Sequence, residues 1–134
     1  MSQFQGSCLC GAVKYSIDVD IDNPGICHCT MCQKQHGAPF GVYSAVKWED
    51  FTVTEGEDQI EGYRSSEIVT RTFCKTCGST LQFIRDERPV FGLAVATLDT
   101  SFDKPLDVQI FAGDKAPWWP LQDEPVAYDT VPEE

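Results

Sequence analysis

The sequence predicts a mainly β, compact antiparallel domain with at most one short helix. Short runs of residues alternate between apolar and polar, as half-buried strands do. Turn-forming residues separate these runs. Cysteines fall in close pairs, and two of the pairs are followed at once by glycine.

In chain order, Val13, Tyr15 and Ile17 alternate with Lys14 and Ser16, which predicts a strand with one buried face. Residues 40–46 form a β-prone run, and 69–73 alternate again. Residues 80–84 supply another strand after a cysteine pair. Residues 90–96 are nearly all apolar, the pattern of a strand buried on both faces. Residues 107–112 make a further strand. Turns are expected at 20–25 and 55–58. Only 29–36 looks helical, with Thr30 favouring the first turn and Gly37 stopping it. Prolines recur from Gly113 onward, so residues after about 120 are read as an extended tail.

The 134 residues fit one domain, 1–134, and 42% hydrophobic content supports a single modest core. No apolar run approaches the ~20 residues of a membrane span. Residues 1–6 carry neither a basic stretch nor an apolar one, so no signal peptide is expected and the expected location is cytoplasmic. The net charge of -11 argues against nucleic-acid partners and against anionic membranes.

Seven cysteines cannot all pair within one chain, and a reducing cytosol disfavours disulfides, so metal binding is the expected use. They form three clusters: Cys8 with Cys10, Cys27 with Cys29 and Cys32, and Cys74 with Cys77. Gly11 and Gly78 directly follow Cys10 and Cys77 and permit the positive φ of a tight turn, whose N–H groups can face thiolates. That likeness pairs Cys8, Cys10, Cys74 and Cys77 as a closed structural zinc site, joining an N-terminal hairpin to the one around 73–80. A four-thiolate set also suits iron.

Cys27, Cys29 and Cys32 remain, and three protein ligands leave a tetrahedral position for water or substrate, as catalytic zinc sites do. A helix starting near Cys29 would favour thiolate charge. The alternative is that His28 or His36 is the fourth ligand, which would make both centres structural and the protein a non-catalytic zinc scaffold or binding module. His28 sits between two candidate ligands, where its side chain is expected to point away.

The segments Gly6-Ser7-Cys8-Leu9-Cys10-Gly11-Ala12-Val13, Cys27-His28-Cys29-Thr30-Met31-Cys32, Cys74-Lys75-Thr76-Cys77-Gly78-Ser79 and Phe111-Ala112-Gly113-Asp114-Lys115-Ala116-Pro117-Trp118 occur in this order. The ordered set resembles the glutathione-dependent formaldehyde-activating enzyme family, which also includes centromere protein V, from about residue 6 to 119. The resemblance implies a β-tent (Mss4-like) fold. It also implies two Zn²⁺ per chain, with structural ligands Cys8, Cys10, Cys74 and Cys77 and catalytic ligands Cys27, Cys29 and Cys32. The implied activity is that of a carbon–sulfur lyase acting on a small thiol adduct such as S-(hydroxymethyl)glutathione, formed from glutathione and formaldehyde.

Other candidates follow from that expectation. Arg64, Arg71, Lys34 and Lys47 are candidates for a basic patch facing glutathione carboxylates, against the simpler role of solvated charges. Lys115, Trp118 and Trp119 would wall the pocket or, more simply, pin the tail. Phe40 would line the pocket or fill the core, and Asp99 would support the centre or close a turn.

Overall fold

The computed structural model describes residues 3–21, 23–120 and 126–132. Its strands are β1 (Phe4–Ser7), β2 (Lys14–Ile17), β3 (Gly25–Cys27), β4 (Gly41–Lys47), β5 (Phe51–Glu55), β6 (Ile60–Arg64), β7 (Val69–Cys74), β8 (Thr80–Arg85), β9 (Val90–Ala94), β10 (Val108–Ile110) and β11 (Val126–Ala127). A single α-helix, α1 (Thr30–His36), stands among the described residues, with short 3₁₀ turns elsewhere.

Two sheets result, one of three strands ordered β1-β2-β5 and one of eight ordered β11-β10-β3-β4-β9-β8-β7-β6. Pairing is antiparallel except at one end, where β10 runs parallel to both β3 and β11. That exception has a topological cause. β3 and β10 are far apart in sequence and meet through a long crossover, as parallel neighbours must.

The larger core lies between the sheets. Alternation in β2 buries Tyr15 and Ile17, which pack with Phe4 of β1 against Val46 of β4 and Phe91 and Leu93 of β9. Aromatic edges lock this layer, with Trp48 and Phe51 rings 4.5 and 4.9 Å from that of Phe91. A second cluster gathers Val13 and Leu81 around Cys8 and Cys74.

The strand expected at 90–96 ends at Ala94, and residues 95–97 turn in a 3₁₀ helix. Both of its faces are covered, and Ala94, which pairs with Tyr43 on the side opposite the core, is buried. Phe91 and Leu93 enter the core, while Gly92 is half-buried beneath Tyr43 and Phe83 on the opposite face. The strand expected at 107–112 stops at Ile110, because Phe111 takes φ 54° and starts a 3₁₀ turn. Part of the tail read as extended falls outside the described residues, at 121–125 and 133–134, and Val126–Ala127 adds β11 to the large sheet.

Register places the rest of the site. Cys27 pairs with Gly41, Gly25 with Tyr43, Val108 with Gly25, Ile110 with Cys27, and Tyr63 with Arg71, which itself pairs with Phe83. Paired residues share a face, so these side chains line the side of the large sheet opposite the core. α1 lies over that side.

Candidate metal centres

The first cysteine cluster joins the two sheets. Cys8 and Cys10 sit in the β1–β2 turn, Cys74 ends β7, and Cys77 sits in the β7–β8 turn. Their four sulfurs lie within 4.8 Å of one another. The two turns are built alike. Cys8 N–H donates to Val13 O at 3.1 Å and Gly11 N–H to Cys8 O at 3.1 Å; Cys74 N–H donates to Ser79 O at 2.9 Å and Gly78 N–H to Cys74 O at 2.7 Å. Gly11 and Gly78 both take φ 81°, the left-handed conformation that the sequence predicts for them. Val13 N–H donates to Cys8 Sγ at 3.3 Å. The Ser79 hydroxyl and N–H hold the Cys77 thiol down to about 5, deep in the thiolate range at neutral pH.

The second cluster lies on the other face of the large sheet. Cys27 ends β3, Cys29 caps α1, and Cys32 sits buried in the first turn of the helix. Their three sulfurs also lie within 4.8 Å of one another. Cys29 Sγ accepts the Cys32 N–H at 3.3 Å, so the sulfur serves as the helix N-cap. Gly37 ends the helix at φ 58°. Hydrogen bonds from Cys27 and then Cys32 hold the Cys29 thiol down to about 2, and the reciprocal bond to Cys29 raises Cys27. Three sulfurs this close could hold a metal ion.

Arg71 is the unexpected part of this centre. It is 4% exposed, so it is not a solvated surface charge. Its Nη1 donates to Cys32 Sγ at 3.4 Å and to Gln35 Oε1 at 2.6 Å, its Nε donates to Ser65 Oγ at 3.2 Å, and its guanidinium lies 4.9 Å from the Phe83 ring centroid. A buried arginine needs such partners, and here the Cys32 sulfur is one of them.

Neither histidine joins the cluster. Alternation along the extended chain turns His28 away from Cys27 and Cys29, and its Nε2 lies 2.9 Å from Gln109 Oε1. His36 places Nε2 at 2.7 Å from the Tyr43 hydroxyl. Burial, then Arg71, lowers the His36 pKa and favours the neutral ring beside the Tyr43 hydroxyl. Among the described residues the second group consists of three cysteines.

The other sequence candidates are dispersed. Arg64 is paired with Asp86, donating to its Oδ1 at 2.8 Å. Lys47 is exposed at the far end of β4. Phe40 stacks edge-on between His28 and Trp119, at 5.5 and 5.6 Å, and Lys115 Nζ donates to Trp119 O at 3.0 Å. Trp119 therefore pins the tail to the segment behind the cluster, while Trp118 is exposed. Asp99 accepts the Ser7 hydroxyl at 2.7 Å, beside the first centre. Sequence reasoning missed Gln35 and Tyr43. The helical spacing of Gln35, one turn after Met31, and the alternation of Gly41 with Tyr43 were the signals available.

One cavity borders the second cluster and another opens beside α1. A small one of about 160 Å³ is walled by Cys27, Cys32, Tyr43, Phe83 and Ile110. A larger one of about 410 Å³ opens between α1 and the β6–β7 hairpin, with Arg71 in its wall.

The fold and these clusters define a mainly β protein with two cysteine-built groups able to hold metal ions, and all-sulfur donor sets of this kind fit zinc. The chain belongs to the glutathione-dependent formaldehyde-activating enzyme family, whose family model matches residues 3–114. It is 34% identical over 83 residues to an uncharacterized lyase of Schizosaccharomyces pombe, covering 62% of this chain and 58% of that protein. It is 30% identical over 89 residues to a putative glutathione-dependent formaldehyde-activating enzyme of Podospora anserina, covering 64% of this chain and 42% of that protein. The chain thus spans about half the length of these curated relatives. A crystal structure of a Rhodobacter sphaeroides protein superposes with a TM-score of 0.58 at 24% identity, over 73% of this chain and 90% of that one, a likeness of fold.

Proposed function

We propose that Cys27, Cys29 and Cys32 hold a zinc ion with one open position, and that this centre makes or breaks the C–S bond of a small thiol adduct of the S-(hydroxymethyl)glutathione type. The observation that carries this reading is a cluster of three thiols, with both histidines engaged elsewhere, beside a small apolar cavity. The names of the related proteins support the same chemistry. Cys8, Cys10, Cys74 and Cys77 are the closed, structural set in this proposal.

When bound, zinc would stabilise a thiolate at neutral pH and offer Lewis acidity to a carbonyl oxygen. The protein's own residues do the rest. Arg71 offsets thiolate charge through Cys32 and holds Gln35, which anchors the helix carrying two of the ligands. Phe83 and Ile110 keep the cavity dry, which strengthens electrostatic interactions inside it. In the adduct-forming direction the thiol sulfur bonds to the formaldehyde carbon, the C=O π bond breaks, and the thiol proton ends on the oxygen. Cleavage reverses each change.

Metal analysis tests the reading. Protein purified without added metal should carry two zinc per chain, and Cys29→Ser should keep the fold, lose one equivalent and lose adduct turnover. Glutathione should perturb the zinc of the second centre. Two zincs indifferent to glutathione, or unchanged turnover in Cys29→Ser, would overturn the enzyme reading in favour of a scaffold.

A further inference from the structure

Adding a thiol across formaldehyde moves one proton from sulfur to oxygen, and the small cavity at the second centre holds one side chain suited to that task. Cys27, Cys32 and Tyr43 line it, and its remaining walls are aliphatic, aromatic or glycine. The Tyr43 hydroxyl is thus the only side-chain oxygen or nitrogen among the described residues that line this cavity. Burial, then the Cys32 sulfur, raise its pKa, so the phenol keeps its proton at neutral pH. The same hydroxyl lies 2.7 Å from His36 Nε2 and 3.5 Å from Gln35 Oε1. His36 in turn lines a different cavity, of about 810 Å³, which reaches Asp99 and shares no lining residue with the small one. The Tyr43–His36 hydrogen bond therefore bridges an apolar cavity beside the thiols and a wider one behind them. Gly41 leaves room for the bridge, because a Cβ there would come 2.6 Å from His36 Nε2 and 2.9 Å from the Tyr43 ring.

We propose that Tyr43 is a catalytic residue that takes and returns the reacting proton, and that His36 acts through it as the proton's temporary holder. The proposal rests on the reading that the Cys27, Cys29 and Cys32 centre handles a thiol adduct, and it assigns the proton route which that reading needs. In the adduct-forming direction the thiol proton passes to the Tyr43 oxygen as the Tyr43 proton passes to His36 Nε2. The sulfur lone pair then forms the bond to carbon, and the C=O π pair moves onto oxygen. That oxygen takes the proton of Tyr43, and His36 returns its own to Tyr43. One proton has moved from sulfur to oxygen, and both side chains end as they began. Cleavage reverses each transfer. Burial, then Arg71, make His36 a weaker base than an exposed histidine, so it gives the proton back readily. Arg71 Nη1 also donates to Gln35 Oε1 at 2.6 Å and fixes the amide beside the hydroxyl. The route requires the tautomer with hydrogen on Nδ1 and a bare Nε2.

Tyr43→Phe tests this, because it keeps the ring that packs 5.9 Å from Phe83 and should leave zinc content and Tm near those of the parent protein. Its kcat for adduct turnover should fall at least about 100-fold with KM within about twofold, the mark of a lost acid–base group and not of lost binding. His36→Gln offers Tyr43 a hydrogen bond but cannot take a proton, and should lose about tenfold or more in kcat. A readout independent of turnover is NMR of zinc-loaded protein labelled at the histidine nitrogens, with the His36 signals assigned through their loss in His36→Gln. It should show Nδ1 protonated and Nε2 bare at neutral pH. A protonated Nε2, unchanged kcat in either variant, or a Tyr43→Phe loss confined to KM would overturn the relay. Should Tyr43→Phe lose zinc, His36→Gln and the tautomer decide. If Cys29→Ser abolishes turnover while Tyr43→Phe leaves it intact, the enzyme reading stands and the relay falls. If the parent protein turns over no adduct, the enzyme reading falls and the relay with it, whatever the tautomer.

Discussion

At the scale of single residues, backbone conformation around the sulfurs matters as much as the sulfurs. Gly78 takes φ 81°, and a Cβ built on it would meet nothing within 4 Å. Substitution there is therefore a conformational question with no steric part. Gly78→Ala should cost ~1–2 kcal/mol, the penalty for placing an L side chain in the left-handed region. In a chain of this size that is a drop of several degrees in Tm. The turn donates the Gly78 N–H to Cys74 O and presents Ser79 to Cys77, so the variant should also yield zinc from the first centre to a chelator more readily. Thermal melts with and without chelator check this. An unchanged Tm together with unchanged zinc release would mean that the turn tolerates other geometries. Glycine placement was readable from sequence because few other residues occupy that conformation. Arg71 was not readable, because nothing local to residues 69–73 says that an arginine on the outward face of a strand will be covered by a helix from 40 residues earlier.

At the scale of elements, α1 is tied down by polar contacts on both flanks. Gln33 Nε2 donates to His28 O at 2.7 Å and to Asp114 O at 2.9 Å, while His36 meets Tyr43 of β4. His36 carries the pH dependence of this packing. Its folded pKa is lowered, chiefly by burial and then by Arg71, so the folded state takes up a proton less readily than the unfolded chain. Its contribution to stability is fully present above the unfolded value of ~6.5 and is lost as pH falls from there towards the folded pKa. His36→Gln keeps a hydrogen-bonding group for Tyr43 without titrating, so Tm should decline less steeply below about pH 6.5 than in the parent protein. Identical slopes would assign the acid sensitivity to the thiolates alone. The helix and its glycine stop were legible from its sequence, as were the alternating strands β2, β4, β7 and β8. The strands β1, β3, β5 and β6 were not. β1 and β3 have four and three residues, and β6 is exposed along nearly its whole length, so these three show no full hydrophobic period, while the alternation of Phe51 and Val53 with threonines in β5 was a signal left unused. The parallel contact of β3 with β10 joins segments about 80 residues apart and leaves no local signature.

At the scale of the whole molecule, the two centres occupy unequal positions. The first lies where the three-stranded sheet meets the eight-stranded one, and Cys8 and Cys74 are themselves members of a buried cluster with Val13 and Leu81. The second lies on the outer face of the large sheet, beneath a seven-residue helix. Releasing metal from the first should therefore separate the sheets and expose the layer containing Tyr15, Ile17, Phe91 and Leu93. Releasing it from the second should loosen α1 and leave that layer closed. Structural zinc contributes folding free energy directly, on the order of 10 kcal/mol in small metal-dependent domains. At ~3–5 °C per kcal/mol, Cys8→Ser should lower Tm by well over about 10 °C or abolish folding, whereas Cys29→Ser should lower it by only a few degrees. Paired melts of the two variants, each with its zinc content measured, decide the matter. A larger loss in Cys29→Ser than in Cys8→Ser would reverse the proposed roles, because an ion on which the fold depends more heavily is poorly suited to exchange its fourth ligand with every substrate molecule.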